Sequence, residues 1–475
     1  MDNPPIDAHL HVSVDPVIAR VLGIDAAHLT DDLEYQSIQQ WDSLRHVALM
    51  LALEETYGTK IDDSQMLELH SVAAIRAYVA TLGQPRRESA PAAPAAAVPG
   101  QPVVHRGLEG IYFDRSQIAR IDGEHGILEY RGYSIHDLAE HATFEQVAYL
   151  LIHGELPTAE AAGAFSAALA QARGVPAPVL ALMHSLAHVH PMEALRSGVS
   201  LLGAYDPDCA DLSRDAQLRC GIRLLAQVPI LVAAHYAARQ GRELAMPASD
   251  APFAAHLLQM LHGKAASDFA VEVIDRDLIV HADHSSNAST FALRVVVGCR
   301  SGMYAAMTAA IAAFAGMLHG GAAEKVMDLI DDVGDAGNAA AYVAHKLERN
   351  EPVMGFGHRV YRTEDPRVRH LRDAALQASR EQGDLHEYQT VQAVVEAMRP
   401  YARHGVDANV DLYAGLVYRK LGLPDELAVP MFVIGRMAGW LAQALEQYDN
   451  NVLIRPLLQY VGPTGKRLDG QGALA

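Results

Sequence analysis

Apolar residues recur three and four positions apart over most of the chain beyond residue 105, the spacing of one face of an α-helix. Met303 to Met317 and Phe432 to Leu445 are the strongest cases, and both lack a polar face. A helix that is apolar all round belongs inside a large core. The pattern predicts an almost entirely helical region over 105–475, broken at clusters such as Gly462-Pro463. Gly107 to Tyr130 departs from it: alternation with turn formers predicts small strands before the first long helix. Nearer the start, Asp42 to Gly58 reads as a short amphipathic helix. Asp42 is its N-cap, Leu44, Val47 and Leu51 share a face, and Gly58 stops it. No solenoid-like period is visible.

A chain of 475 residues accommodates two or three domains with substantial cores. Residues 1–83 are acidic, with 13 Asp/Glu against 4 Lys/Arg. A Pro/Ala-rich stretch over 84–104, including Ala90-Pro91-Ala92-Ala93-Pro94, reads as a linker. Where polyproline-like it extends about 3 Å per residue, so it can carry a small domain some tens of Å. Hydrophobic residues make up 50% of the chain, yet no uninterrupted apolar run reaches the roughly 20 residues that span a bilayer. Met1-Asp2-Asn3-Pro4-Pro5 lacks the basic and apolar regions of a signal peptide. Cys209, Cys220 and Cys299 are too few and too scattered for a disulfide framework or a cysteine zinc site. These features predict a cytoplasmic protein with no membrane partner and no metal. The formal charge of −19 argues against a nucleic-acid partner, which needs a basic face.

Taken alone, a serine after an aspartate at a helix start is ordinary capping chemistry. The wider stretch Trp41-Asp42-Ser43-Leu44 to Gly58 resembles the prosthetic-group helix of acyl and peptidyl carrier proteins. Lys60-Ile61-Asp62-Asp63 and Ser71-Val72-Ala73-Ala74-Ile75 look like the third and fourth helices of that fold. The resemblance covers residues 1–83 and implies a four-helix bundle. It implies that Ser43 receives 4′-phosphopantetheine from a phosphopantetheinyl transferase, with Glu54 and Glu55 attracting the basic surface of that enzyme. The phosphodiester would sit at a helix N-terminus, where the amides and dipole favour negative charge.

Three further motifs follow in order: Leu318-His319-Gly320-Gly321-Ala322; Gly355-Phe356-Gly357-His358-Arg359-Val360-Tyr361-Arg362 with Asp365-Pro366-Arg367; and Asn409-Val410-Asp411. With Gly107-Leu108-Glu109-Gly110, Asp122-Gly123, Tyr130-Arg131-Gly132-Tyr133, His190-Pro191-Met192-Glu193 and His281-Ala282-Asp283-His284, they make 105–475 resemble the citrate and 2-methylcitrate synthase family. The chemistry asks for such a set. The α-proton of a thioester is very weakly acidic, so a carboxylate base needs a donor that stabilises charge on the thioester oxygen. By resemblance Asp411 is the base, His319 that donor, and His358 the donor to the ketone oxygen of a 2-oxo acid. Arg367 and Arg436 match the family's carboxylate clamps, a role that suits bidentate guanidinium. His284 matches a histidine that bonds the oxo acid, and Arg455 an arginine supplied across a homodimer. His281 reads as structural, His345 and His370 as surface or packed residues, and Met303, Met307 and Met317 as core filler. The chain departs from the family pattern at Ser285, Ala323, Leu412, Ala414 and Leu457. Ala323 removes an amide near His319, Leu412 implies room for another acyl chain, and Leu457 removes a cation.

The resemblances imply an all-α fold. A four-helix carrier bundle (1–83) and linker (84–104) precede a large helical domain (105–325 and 426–475) and a small one (326–425). They imply an acyltransferase of the citrate synthase type that condenses an acyl thioester, carried on Ser43, with oxaloacetate or another 2-oxo acid in a biosynthetic pathway. Two alternatives stay open. One is an enzyme using free acyl-coenzyme A, with the carrier segment for docking or regulation. The other is a non-catalytic carrier scaffold.

Overall fold

The structure, a computed structural model, describes residues 13–82 and 104–465, except positions 36, 39, 62, 109, 248–250, 350, 403 and 404. The expected Pro/Ala linker lies outside the described residues apart from its last position. Helices dominate, and the one sheet is small.

In the N-terminal segment, helices Asp15–Leu22, Ser43–Tyr57, Asp63–Glu68 and Val72–Thr81 enclose Ile18, Leu22, Trp41, Met50, Leu53 and Ile75. Asp42 caps the second helix: its carboxylate accepts from the Arg45 amide at 2.9 Å. Gly58 ends it in the left-handed region, as the sequence predicts. Of the three residues predicted to share a face, the side chain of Leu44 lies outside the described residues, and the buried side is broader than that face. It carries His46, Val47, Leu49, Met50 and Leu53, while Leu51 is only half-buried. Arg76 ties the bundle together, pairing with Asp15 and Asp31.

Strands Ala119–Asp122, Ile127–Tyr130 and Tyr133–Ser134 form an antiparallel sheet in sequence order. They begin later than Gly107, which lies in a 3-10 turn. The following helices are closed by local signals, such as the capping box of Thr143 and Gln146 on Phe144–His153. Helices Arg214–Arg239 and Ala428–Asp449 are long and apolar enough to cross a membrane by length and composition. Both are largely buried among other helices, and Ala428–Asp449 is the central helix of the core. Met303–Phe314 is also a core helix, with Met303 and Met307 buried. Met317 is not core filler: the helix ends at Phe314, and Met317 is 78% exposed. The helix is capped at Ala315, two residues before Met317, so the apolar period no longer sets its direction.

Helices Ala322–Val333, Ala339–Glu348, Val368–Glu381, His386–Ala402 and Val410–Lys420 pack mainly on one another. Beyond Asp449 the chain runs without helix or strand to residue 465, with Leu457, Leu458 and Val461 exposed.

Candidate active site

Two short segments bring the predicted chemistry together. Phe356 bridges Ala408, and the Gly357 amide donates to the Asp407 carbonyl at 2.8 Å. The Asn409 amide donates to the Gly355 carbonyl at 2.9 Å. The Asn409 side chain works at both ends. Its Nδ2 donates to the Gly357 carbonyl at 3.1 Å, and its Oδ1 accepts from the Asp411 amide, capping helix Val410–Lys420. His358 and Asp411 therefore hang on one ladder. Gly355 has φ 83°, and a Cβ there would press on Leu412, which is fully buried beneath it. Leu412 thus packs under the loop. On the other side, a Cβ on Gly123 would overlap the Val360 carbonyl, and the Arg362 amide donates to the Gly123 carbonyl at 2.9 Å. The sheet's first turn thereby braces the His358 loop.

The hydrogen bonds fix which nitrogen of His358 is free. Its Nδ1 accepts from the amides of Val360 and Tyr361 at 3.0 and 3.1 Å. An amide can only donate, so the proton is on Nε2. Burial, reinforced by Arg367, lowers His358 to about 4, so the ring is a neutral donor at pH 7. His284 stands 5.1 Å from it, ring to ring, and its Nε2 meets the Tyr361 hydroxyl at 3.2 Å. Burial, with Arg367 next, also holds His284 well below the usual histidine range.

His319 follows the same logic. Its Nε2 accepts from the Ser289 amide at 3.4 Å and lies 2.8 Å from the Ser289 hydroxyl, whose single proton is shared between Nε2 and Asn287 Oδ1 at 2.7 Å. Ser289 is in the first turn of helix Ala288–Gly298, capped by Asn287, and a helix N-terminus disfavours an imidazolium. Burial and then Arg436 lower His319 to about 4. The ring is neutral, with Nδ1–H free to donate. Phe314 meets it edge-on at 4.8 Å.

Arg367 and Arg436 form the electrostatic hub. Arg367 is buried and holds Asp365 through Nε at 2.9 Å and Nη2 at 2.6 Å. Arg436 is buried, donates from Nε to the His281 carbonyl at 2.6 Å and lies over the Phe314 ring. Among the described residues no carboxylate is within ion-pair distance of it. Asp411 feels both guanidinium groups. Burial raises its carboxyl above the ordinary range, and Arg367 opposes that rise most strongly. A raised carboxyl on the same ladder as a neutral imidazole is a pattern of acid–base chemistry near neutral pH.

Arg455 is exposed in the extended segment after Asp449, and no hydrogen bond or ion pair joins it to these groups. Ser43 begins its helix directly after the Asp42 cap; its side chain lies outside the described residues. Among the described residues, no cluster of three His, Cys, Asp or Glu side chains could hold a metal ion.

Sequence reasoning left Ser289, Tyr361, Asp365 and Asn409 without roles. Asn287-Ala288-Ser289 carries an N-cap signature, and Asp365 stands two residues before Arg367, so both were readable in principle. Of the departures from the family pattern, Ala323 is buried. Ser285 takes a left-handed φ of 48° while donating its amide to Asp283 at 2.8 Å.

Comparison with known proteins agrees with this geometry. Residues 107–457 match the model of the citrate synthase C-terminal domain, and residues 14–79 match that of the phosphopantetheine attachment site. Citrate synthase 2 of Bacillus subtilis is 42% identical over 360 residues, spanning 75% of this chain and 96% of its own. 2-Methylcitrate synthase 1 of Corynebacterium glutamicum is 40% identical over 368 residues, spanning 76% and 95%. Among solved structures, citrate synthase from Pyrobaculum aerophilum is similar at TM-score 0.74 and 34% identity, covering 79% of this chain and 96% of that one. The citrate synthase of Thermoplasma acidophilum, in a ternary complex with carboxymethyl coenzyme A and oxaloacetate, matches at TM-score 0.74 and 27% identity, covering 77% and 98%. The neutral imidazoles, the ladder that carries Asp411 and the two buried guanidinium groups thus stand in a chain that belongs to the citrate synthase family, preceded by a phosphopantetheine-attachment domain.

Proposed function

We propose that this chain condenses an acyl thioester borne on Ser43 with oxaloacetate or a related 2-oxo acid. Asp411 takes the α-proton of the thioester. His319 donates from Nδ1–H to the thioester oxygen, where charge develops. The resulting carbon nucleophile attacks the ketone of the oxo acid, and His358 supplies a proton from Nε2–H to the ketone oxygen. His284 orients that ketone. Arg367 and Arg436 hold the carboxylates, with Arg455 of the partner subunit completing the clamp in a homodimer. No step asks a metal of the protein.

Ser43 fits the attachment of 4′-phosphopantetheine. It opens a helix whose first-turn amides and dipole favour a phosphodiester, and Asp42 already holds the entry of the chain in an extended conformation. The group supplies a flexible arm ending in a thiol that carries the acyl unit. A tether of this kind raises the donor's local concentration to about mM. The observation that carries the reading is the covalent union of that attachment segment with the site. The relatives span about 95% of their own length but only about 75% of this chain, so the carrier segment is additional to them. The experiment treats the full chain and its Ser43→Ala variant alike with a phosphopantetheinyl transferase and acetyl-coenzyme A, removes the free thioester and adds oxaloacetate. The proposal expects turnover from the loaded donor to be lost, and unchanged turnover would overturn it.

A second reading, an enzyme using free acyl-coenzyme A, is favoured by Arg359 and Arg362. Both are exposed beside His358 and, among the described residues, unpaired. They offer cations to the phosphates of a soluble donor. Full acetyl-coenzyme A activity in residues 105–475 alone would support it.

A further inference from the structure

A histidine pair outside the reacting groups ties the Arg367 turn to the helix that follows the small sheet. His136 Nδ1 lies 2.9 Å from His370 Nε2, and the ring centroids are 5.1 Å apart. His136 is half-buried in the first turn of helix Ile135–His141, its amide bonded to the Ser134 cap at 3.2 Å. His370 is buried in the first turn of helix Val368–Glu381, whose N-cap is Arg367. A second contact joins the same two helices: Arg369 Nη2 donates to Glu140 Oε1 at 2.6 Å.

The turn itself is one hydrogen-bonded unit. The Val368 amide donates to the Asp365 carbonyl at 2.9 Å, and the His370 amide to the Arg367 carbonyl at 3.2 Å. The Asp365 carboxylate holds both the amide and the guanidinium of Arg367. The position of His370 therefore bears on Arg367 through a single helical turn. Helix Val368–Glu381 belongs to the five helices that pack mainly on one another, and Ile135–His141 lies outside that group. The histidine pair joins the two. Its chemistry also sets a limit. Two imidazole nitrogens 2.9 Å apart share one proton, so one ring donates and the other accepts. A second proton would set two N–H groups head to head and break the bond. The charges acting on the rings are Asp137 and Glu140 from the helix of His136, Arg369 from that of His370, and Arg276 from helix Asp268–His281. Burial lowers both rings, His370 to about 4, so the pair is neutral at pH 7.

We propose that His136 and His370 form a proton-sensitive strap that holds the Arg367 turn in place for a carboxylate of the oxo acid. This inference rests on the reading of Arg367 as a carboxylate clamp. Both histidines are positioning residues, and they act through the backbone of the turn. With the strap closed, the guanidinium stands in place before the ligand arrives. With it open, part of the binding energy goes into ordering the turn. The sign follows from the lowered rings. The strap is complete above about 6.5, the ordinary histidine value, and is lost as pH falls toward about 4.

The test is calorimetric binding of oxaloacetate to the full chain, which needs no thioester donor. At about pH 7.5, His136→Ala should bind oxaloacetate about fivefold more weakly than the unaltered chain, the loss of one net hydrogen bond. At about pH 5 the strap is open in both, and the ratio falls toward one. His136→Asn places an amide oxygen near the position of Nδ1, an acceptor for His370 Nε2–H in either charge state of that ring. It should match the unaltered chain within about twofold at the higher pH and bind more tightly than it at the lower. His136→Ala that binds as tightly as the unaltered chain at the higher pH overturns the strap. So does a weakening that is the same at both pH values, which marks a merely structural role. Failure of the unaltered chain to bind oxaloacetate, or affinity unchanged in Arg367→Gln, overturns instead the reading of Arg367 as its clamp.

Discussion

Replacing Asp365 with Asn tests the electrostatic hub. Asp365 and Arg367 are almost entirely buried, with side-chain exposures of 1% and 5%. They share two charge-assisted bonds, at 2.9 and 2.6 Å, and Asp365 Oδ1 also accepts the Arg367 amide at 3.0 Å. Removing one partner of a buried pair leaves the other charge uncompensated, at a cost of about 3–5 kcal/mol. Asparagine keeps one acceptor oxygen, so the expected loss is near 3 kcal/mol, a large share of the roughly 5–15 kcal/mol that holds a domain folded. Arg367→Met added to Asp365→Asn removes the stranded guanidinium, and the double variant regains at least about 1 kcal/mol. Urea unfolding in a Trp41→Phe background, where Trp440 in the central helix is the remaining indole, measures both. The pH dependence has a definite sign. Burial alone would raise Asp365, but Arg367 outweighs it and holds the carboxyl below its ordinary 3.8. Its contribution is therefore complete above about pH 4 and lost as pH falls through the lowered value. Asp365→Asn should flatten that acid limb of stability. A loss under about 1 kcal/mol, or a double variant no more stable than the single, would refute this account of the hub.

Other predictions concern the site directly. Ser289→Ala removes the hydroxyl 2.8 Å from His319 Nε2; at about 1 kcal/mol for the bond, kcat should fall about fivefold, and no change in steady-state rate would show that the amide alone fixes the ring. His358→Ala should lower kcat about 10²- to 10⁴-fold with the far-ultraviolet spectrum unchanged, whereas near-normal turnover would remove His358 from proton transfer. Because His319 and His358 lie at about 4, their imidazole proton resonances should not titrate between pH 6 and 8; a titration there would contradict the neutral-donor assignment. Gly123→Ala drives a methyl into the Val360 carbonyl and should displace the His358 loop, costing on the order of 10²-fold in kcat.

What the sequence disclosed, and what it hid, follows from range. His319, His358 and Asp411 were legible because each sits in a compact local motif, and the helical fold because its apolar spacing is local too. Misreadings came where distant partners decide. Leu51 shares a predicted face with Val47, yet Val47 is buried and Leu51 only half-buried, while Leu49, Met50 and Leu53 are buried beside them. Met317 continues an apolar run, yet the helix ends at Phe314 before reaching it. The protonated nitrogens of His319 and His358 were invisible, since they depend on amides of Ser289, Val360 and Tyr361 placed by the fold. Asp277 meets Tyr418 across 141 positions of sequence, a contact no periodicity announces.

The most direct test of the central claim is the intact mass of the full chain, phosphopantetheinylated and loaded with acetyl, before and after addition of oxaloacetate. The account predicts a gain equal to oxaloacetate on the carrier, or loss of the acetyl group with citrate released. An acetyl-carrier mass that stays unchanged, in a preparation that turns over free acetyl-coenzyme A with oxaloacetate, would contradict it.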